Sequence, residues 1–134
     1  MTDISVQSTT YQVEDRSWLA GTHGTTPGDN PSCSVDFTTF SAGDYPNGYI
    51  PSGTIVGRIT VSGKVGKYDT GASDGRQTAV GLLFNSVKVP TPTSTPVGNA
   101  LFVHGFVKPS RLPGGSGSVT ADVKTALPLI YFAD

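Results

Sequence analysis

The sequence predicts a mainly β domain with one short helix near the C-terminus and an extended N-terminal arm. Three observations lead there. Seventeen glycines and ten prolines among 134 residues turn the backbone often and disfavour long helices. Short β-branched runs recur, each bounded by Gly, Asp, Asn or Pro. The first 20 residues contain neither Gly nor Pro, as an uninterrupted extended segment requires.

Taken in order, residues 1–20 form the arm, polar and β-prone, with alternation at Ile4/Val6 and Tyr11/Val13 and an apolar close at Trp18-Leu19-Ala20. Residues 21–34 are a Gly/Thr/Pro loop that serves as a flexible hinge, and 35–134 make a single body. Val35 to Phe40 alternates weakly as a strand, and Ser41 to Gly48 is a turn region. Thr54–Val61 is a β-branched strand that turns at Ser62-Gly63 and returns over Lys64–Tyr68 as a hairpin. Asp69–Arg76 is a loop. Thr78–Val89 is a long apolar strand bent near Asn85-Ser86. Pro90 to Pro96 has too many prolines to pair centrally and forms a surface loop. Ala100–Val107 is a further strand, followed by a turn over Pro113 to Gly117. Thr120 caps a helix in which Val119, Val123, Ala126 and Leu127 share one face, and Asp122 complements its dipole. Pro128 ends it, and Leu129–Phe132 is the final strand.

Composition excludes several function classes. Nine basic and ten acidic residues give a net charge of −1 without a basic run; nucleic-acid binding, which needs a positive patch to release counterions, is not expected. Charged residues are 14% and hydrophobic residues 36%, the balance being Gly, Pro, Ser and Thr. One cysteine, Cys33, rules out an intrachain disulfide and a cysteine zinc cluster. Without an apolar run near 18 residues or a basic, apolar leader, the expectation is a soluble protein made in a cytoplasm, with no membrane partner.

The sharpest chemical motif is Asp69-Thr70-Gly71-Ala72, the signature of retroviral-type dimeric aspartic proteases, in which two aspartates share a proton. Its neighbours argue for a turn instead. Gly66-Lys67-Tyr68 precedes the aspartate where an apolar strand is needed. The best apolar-apolar-Gly segment, Ile55-Val56-Gly57, comes before it, and Ala79-Val80-Gly81 follows too closely. His23 and His104 are the only histidines, and no carboxylate lies at metal-ligand spacing from either. Gly114-Gly115-Ser116-Gly117 lacks the lysine of a phosphate loop, and no Gly-x-Ser-x-Gly elbow occurs. Aromatics do not cluster into a platform for sugars. No catalytic residue, cofactor, metal or small-molecule substrate is expected. Trp18 is either an anchor for a partner or a residue folded back on the domain's own core.

Three motifs stand in order. Pro51-Ser52-Gly53-Thr54-Ile55-Val56-Gly57-Arg58 leads to Gly63-Lys64-Val65-Gly66-Lys67-Tyr68-Asp69, and then to Asp74-Gly75-Arg76-Gln77-Thr78-Ala79-Val80-Gly81-Leu82-Leu83. This run resembles the head decoration proteins of tailed bacteriophages, the lambda protein D family. The likeness continues more loosely through Val103-His104-Gly105-Phe106-Val107 and Ala121–Phe132. The loops at 21–34 and 90–97 are longer than in the shortest members.

The resemblance implies a small β-clip-like, barrel-like domain. It implies a homotrimer on the three-fold sites of an expanded icosahedral capsid, bound to the major capsid protein on the outer surface of the virion and stabilising the shell against DNA pressure. The capsid-binding residues expected on the arm are Ile4, Val6, Tyr11, Val13, Trp18 and Leu19, acting by strand addition to a capsid-protein sheet edge.

Overall fold

The computed structural model describes residues 14–26 and 28–133. Among the described residues, nine strands and one α-helix follow in chain order: β1 (Ser32–Val35), β2 (Tyr49–Ile50), β3 (Ile55–Arg58), β4 (Val65–Lys67), β5 (Ala79–Leu83), β6 (Val87–Lys88), β7 (Val97–Phe102), β8 (Gly105–Val107), α1 (Ala121–Ala126) and β9 (Ile130–Phe132). Strands β1, β4, β3, β5 and β7 close into a barrel in that order. β2 pairs with β6 as a separate ribbon, and β8 pairs with β9 in parallel. The chain is mainly strand with one short C-terminal helix, as its turn-rich composition requires.

The barrel is buried on both faces, and the period of two along each strand shows how. Val35, Val56, Val65, Leu83 and Leu101, drawn from all five barrel strands, meet in one cluster with Phe37, Phe40, Ile50 and Val87. Their neighbours Ile55, Leu82 and Phe102 point the other way, into a second cluster with Trp18, Val107, Leu112, Val123, Leu127 and Ile130. The first cluster fills the barrel. The second lies outside its wall, under α1, the β8–β9 pair and the segment before the barrel. Two-sided burial explains why β3 and β5 are nearly continuous apolar runs without clean alternation.

Several boundaries differ from the sequence expectation, each for a tertiary reason. A strand begins at Ser32, inside the stretch read as loop, because Ser32 to Val35 pair antiparallel with Ala100 to Val97. The expected strand over Val35 to Phe40 stops at Val35: the Asp36 carboxylate accepts from the Thr38 backbone N–H at 3.0 Å and caps a 3-10 turn over Phe37–Thr39. The Thr54–Val61 strand ends at Arg58, where Ile59 N–H donates to the Lys64 carbonyl and Gly63 N–H to the Ile59 carbonyl. Val61 is left on the hairpin tip, 97% exposed. The bend expected near Asn85-Ser86 separates β5 from β6. Ala100–Val107 is two strands, because β7 stays in the barrel while β8 leaves to pair with β9.

The helix forms as its signals require. Thr120 Oγ1 accepts from the Val123 N–H at 3.4 Å, Asp122 occupies the first turn, and Val123 and Leu127 are buried against the barrel wall. Six residues alone do not hold a helix in water. Packing of the Val123 and Leu127 face is what holds it.

Candidate functional site

Of the residues expected on the capsid-binding arm, Ile4, Val6, Tyr11 and Val13 lie outside the described residues. Trp18 and Leu19 lie within them, at the point where the arm meets the body. Trp18 is the largest fully buried side chain among those described. Of the two sequence readings of Trp18, the structure shows the inward one: its indole stands edge-on to Phe102, ring centres 5.1 Å apart. Its Nε1–H donates to Ser52 Oγ at 3.2 Å, and Ser52 Oγ–H passes the bond on to the Phe84 carbonyl at 2.8 Å. Burying an indole leaves one donor to satisfy, and Ser52, itself buried, satisfies it. Gly53, at φ 90°, passes so close that a Cβ there would lie 2.9 Å from Trp18 Nε1. The Ser52-Gly53 step therefore forms the floor of the indole's slot.

Leu19, half-buried, continues the attachment through its backbone. It bridges Val107 antiparallel, with Lys108 N–H donating to the Trp18 carbonyl at 2.7 Å and Ala20 N–H donating to the Phe106 carbonyl at 3.0 Å. The segment thus adds one antiparallel bridge to the β8–β9 pair, on the edge of β8 opposite β9.

Two further residues hold the root from the other side. Arg16 Nε–H donates to the Phe84 carbonyl at 2.9 Å, its guanidinium reaches the Asn85 side-chain oxygen, and it lies 4.4 Å above the Phe84 ring. Glu14 accepts from the Ser86 N–H at 2.9 Å and from its hydroxyl, and pairs with Arg16 at 3.5 Å. The β5–β6 bend at 84–86 is therefore the dock for residues 14–16. Sequence reasoning missed Glu14, Arg16 and Ser52 as attachment residues: their partners lie 32 to 72 positions away, and no local spacing announces such a pairing. At Asp15, the Ser17 backbone N–H and hydroxyl hold the carboxyl below its ordinary value.

The chemical candidates fall differently. Asp69 is exposed in a tight turn: its carboxylate accepts from the Gly71 N–H at 2.9 Å, and its carbonyl accepts from the Ala72 N–H at 3.1 Å. That is the turn role anticipated for an Asp-Thr-Gly step. A cleft of about 530 Å³ lies between the β2–β3 region and the 113–118 turn, lined by Phe40, Pro46, Ile50, Tyr68 and Pro113. Its charged residues, Asp44 and Lys67, are bound to each other at 2.9 Å. Cys33 is buried in the barrel, and burial pushes its thiol up, away from the reactive thiolate. Among the described residues no group of three or more His, Cys, Asp or Glu is placed to hold a metal ion.

These features define a class: a small structural β-barrel module with an N-terminal segment rooted in the core on its outer wall. The family follows from comparison. The family model of bacteriophage lambda head decoration protein D matches residues 26–126, about three quarters of the chain, and the chain belongs to that family. No curated protein and no solved structure gives a significant match. The matched region contains the barrel and α1, and leaves out the arm root and β9.

Proposed function

We propose that this chain is a structural capsid decoration protein that binds as a homotrimer at three-fold sites on the outer surface of an expanded phage capsid. There it contacts the major capsid protein and stabilises the shell against the pressure of packaged DNA. Family membership supports the class. The observation that carries the mode of binding is the root at residues 14–20, where an indole in the core, an antiparallel bridge to β8 and a charged clamp on the 84–86 bend tie the arm to the barrel. An arm fastened in this way transmits load from whatever it grips to the body, instead of slipping.

The gripping segment in this reading is residues 1–13, with Ile4, Val6, Tyr11 and Val13 as contact residues and Trp18 and Leu19 as their anchorage. Strand addition obtains affinity from backbone hydrogen bonds and makes few demands on sequence. Three arms on one trimer convert weak single contacts into avidity. A variant lacking residues 2–13 tests this. It is expected to remain folded, with an unchanged unfolding midpoint, and to stay in the supernatant when expanded capsids are pelleted. Co-sedimentation equal to that of the intact protein overturns the arm mode. Sedimentation equilibrium of intact protein, free and released from capsids, is expected to give a trimer, and a dimer or monomer in both samples overturns that part.

A further inference from the structure

The two histidines of this chain each stand in a His-Gly step, His23-Gly24 and His104-Gly105. The fold interlocks these two steps across 81 positions of sequence. Gly24 sits at φ 83° against the His104 carbonyl, where a Cβ would come within 1.9 Å; Gly105 sits at φ 139° against the His23 carbonyl, where a Cβ would come within 2.5 Å. Each glycine thus lets the backbone of the opposite histidine approach, and the two imidazoles are brought together by main chain and not by side-chain reach. His23 Nε2 and His104 Nδ1 are 3.3 Å apart, one ring donating to the other, with ring centres 5.1 Å apart.

We propose that this pair is a chelating site for a divalent transition-metal ion of the zinc type. Tetrahedral coordination with nitrogens about 2.0–2.1 Å from the metal sets roughly 3.3–3.4 Å between two imidazole nitrogens, which is the separation found here. A metal takes the place of the shared proton from a position off the Nε2–Nδ1 line, so each ring turns to aim its lone pair at the ion, while the two glycine steps already hold the backbones at chelating distance. Imidazole favours zinc, nickel and copper over magnesium and calcium. His23 is exposed and His104 half-buried, which leaves a path for the ion. Among the described residues no third side-chain ligand joins the pair, so water completes the sphere. The metal would tie the 22–25 loop to the β7–β8 turn, beside the Leu19–Val107 bridge of the arm root. His23 lies just outside the family match and His104 inside it.

The test is isothermal titration of tag-free protein, stripped with EDTA and dialysed, using zinc chloride, nickel chloride and magnesium chloride. The expected result is one zinc or nickel ion per chain, no heat of binding with magnesium, and a rise in unfolding midpoint that EDTA reverses. His23→Ala and His104→Ala are each expected to weaken zinc binding at least tenfold. His23→Gln, at an exposed position, is expected to do the same while keeping the metal-free unfolding midpoint of the parent. Absence of saturable zinc and nickel binding overturns the proposal, and so does undiminished binding in the folded His23→Gln protein.

Discussion

Trp18 is fully buried, contacts Phe102 edge-on and hands its N–H to Ser52, so three separable effects meet at one side chain. Trp18→Ala is expected to cost about 3–5 kcal/mol through lost burial and the cavity left behind, read as a lower midpoint in urea unfolding. Ser52→Ala keeps the volume of the slot but leaves the indole N–H without an acceptor, for a loss of about 1–3 kcal/mol. Gly53→Ala faces both a positive φ and a Cβ placed 2.9 Å from the indole nitrogen, so it is expected to lower the midpoint as well. Tyr68 supplies the contrast. Its hydroxyl is buried without a hydrogen-bond partner among the described residues, and Tyr68→Phe is expected to be neutral or mildly stabilising in the same assay, because no hydrogen bond within the described residues is lost with the hydroxyl. At this scale the sequence disclosed that Trp18 is unusual but not which way it faces. That choice depends on Ser52, Gly53 and Phe102, which reach it only through the fold.

Among the elements, α1 was the most legible, since its cap, acidic first turn, apolar face and terminating proline are all local. Thr120→Ala is expected to cost about 1 kcal/mol, seen as a lower thermal midpoint without loss of the barrel's β signal in circular dichroism. β1 was the least legible: Ser32-Cys33-Ser34-Val35 has a polar-apolar alternation of only two repeats, and only pairing with β7 on one side and β4 on the other makes it a strand. The turn at 41–44 also carries a pH response. Burial by itself pushes the Asp44 carboxyl up, but the Ser41 backbone N–H, the Lys67 ammonium and the Ser41 hydroxyl together hold it below the ordinary value of 3.8. A carboxyl lowered on folding contributes stability that is present above its unfolded pKa and is lost as pH falls through the folded one. Asp44→Asn is therefore expected to be less stable than the parent at neutral pH and to lose less stability below about pH 4. Urea midpoints measured across that range check the slope. The Lys67 end of the pair is half exposed, so added salt is expected to shrink the difference.

At the scale of the whole molecule, where the chain is cut separates the arm from the body. Removal of residues 2–13 spares every contact described above, whereas removal of residues 2–20 takes away Trp18, the Leu19 bridge and the Glu14–Arg16 clamp. The longer truncation is expected to lower the unfolding midpoint by an amount at least matching Trp18→Ala, and the shorter one to leave it unchanged. Differential scanning of the two proteins reads this directly. The boundary at residue 20, natural from the run without Gly or Pro, leaves the packed residues 14–20 on the arm's side, because a core indole leaves no mark on local backbone propensity. By itself the sequence determined the β-rich class, the capped helix, the turn at Asp69 and, through three ordered motifs, the decoration-protein family. All of these rest on residues close together in the chain, where turn chemistry, period and spacing act directly. Only the tertiary structure decided that the barrel wall is buried on both sides, that residues 14–20 belong to that wall, and that two His-Gly steps interlock. Each of these joins residues many tens of positions apart, and which distant surfaces meet is set by closure of the barrel and the need to cover its apolar outer face.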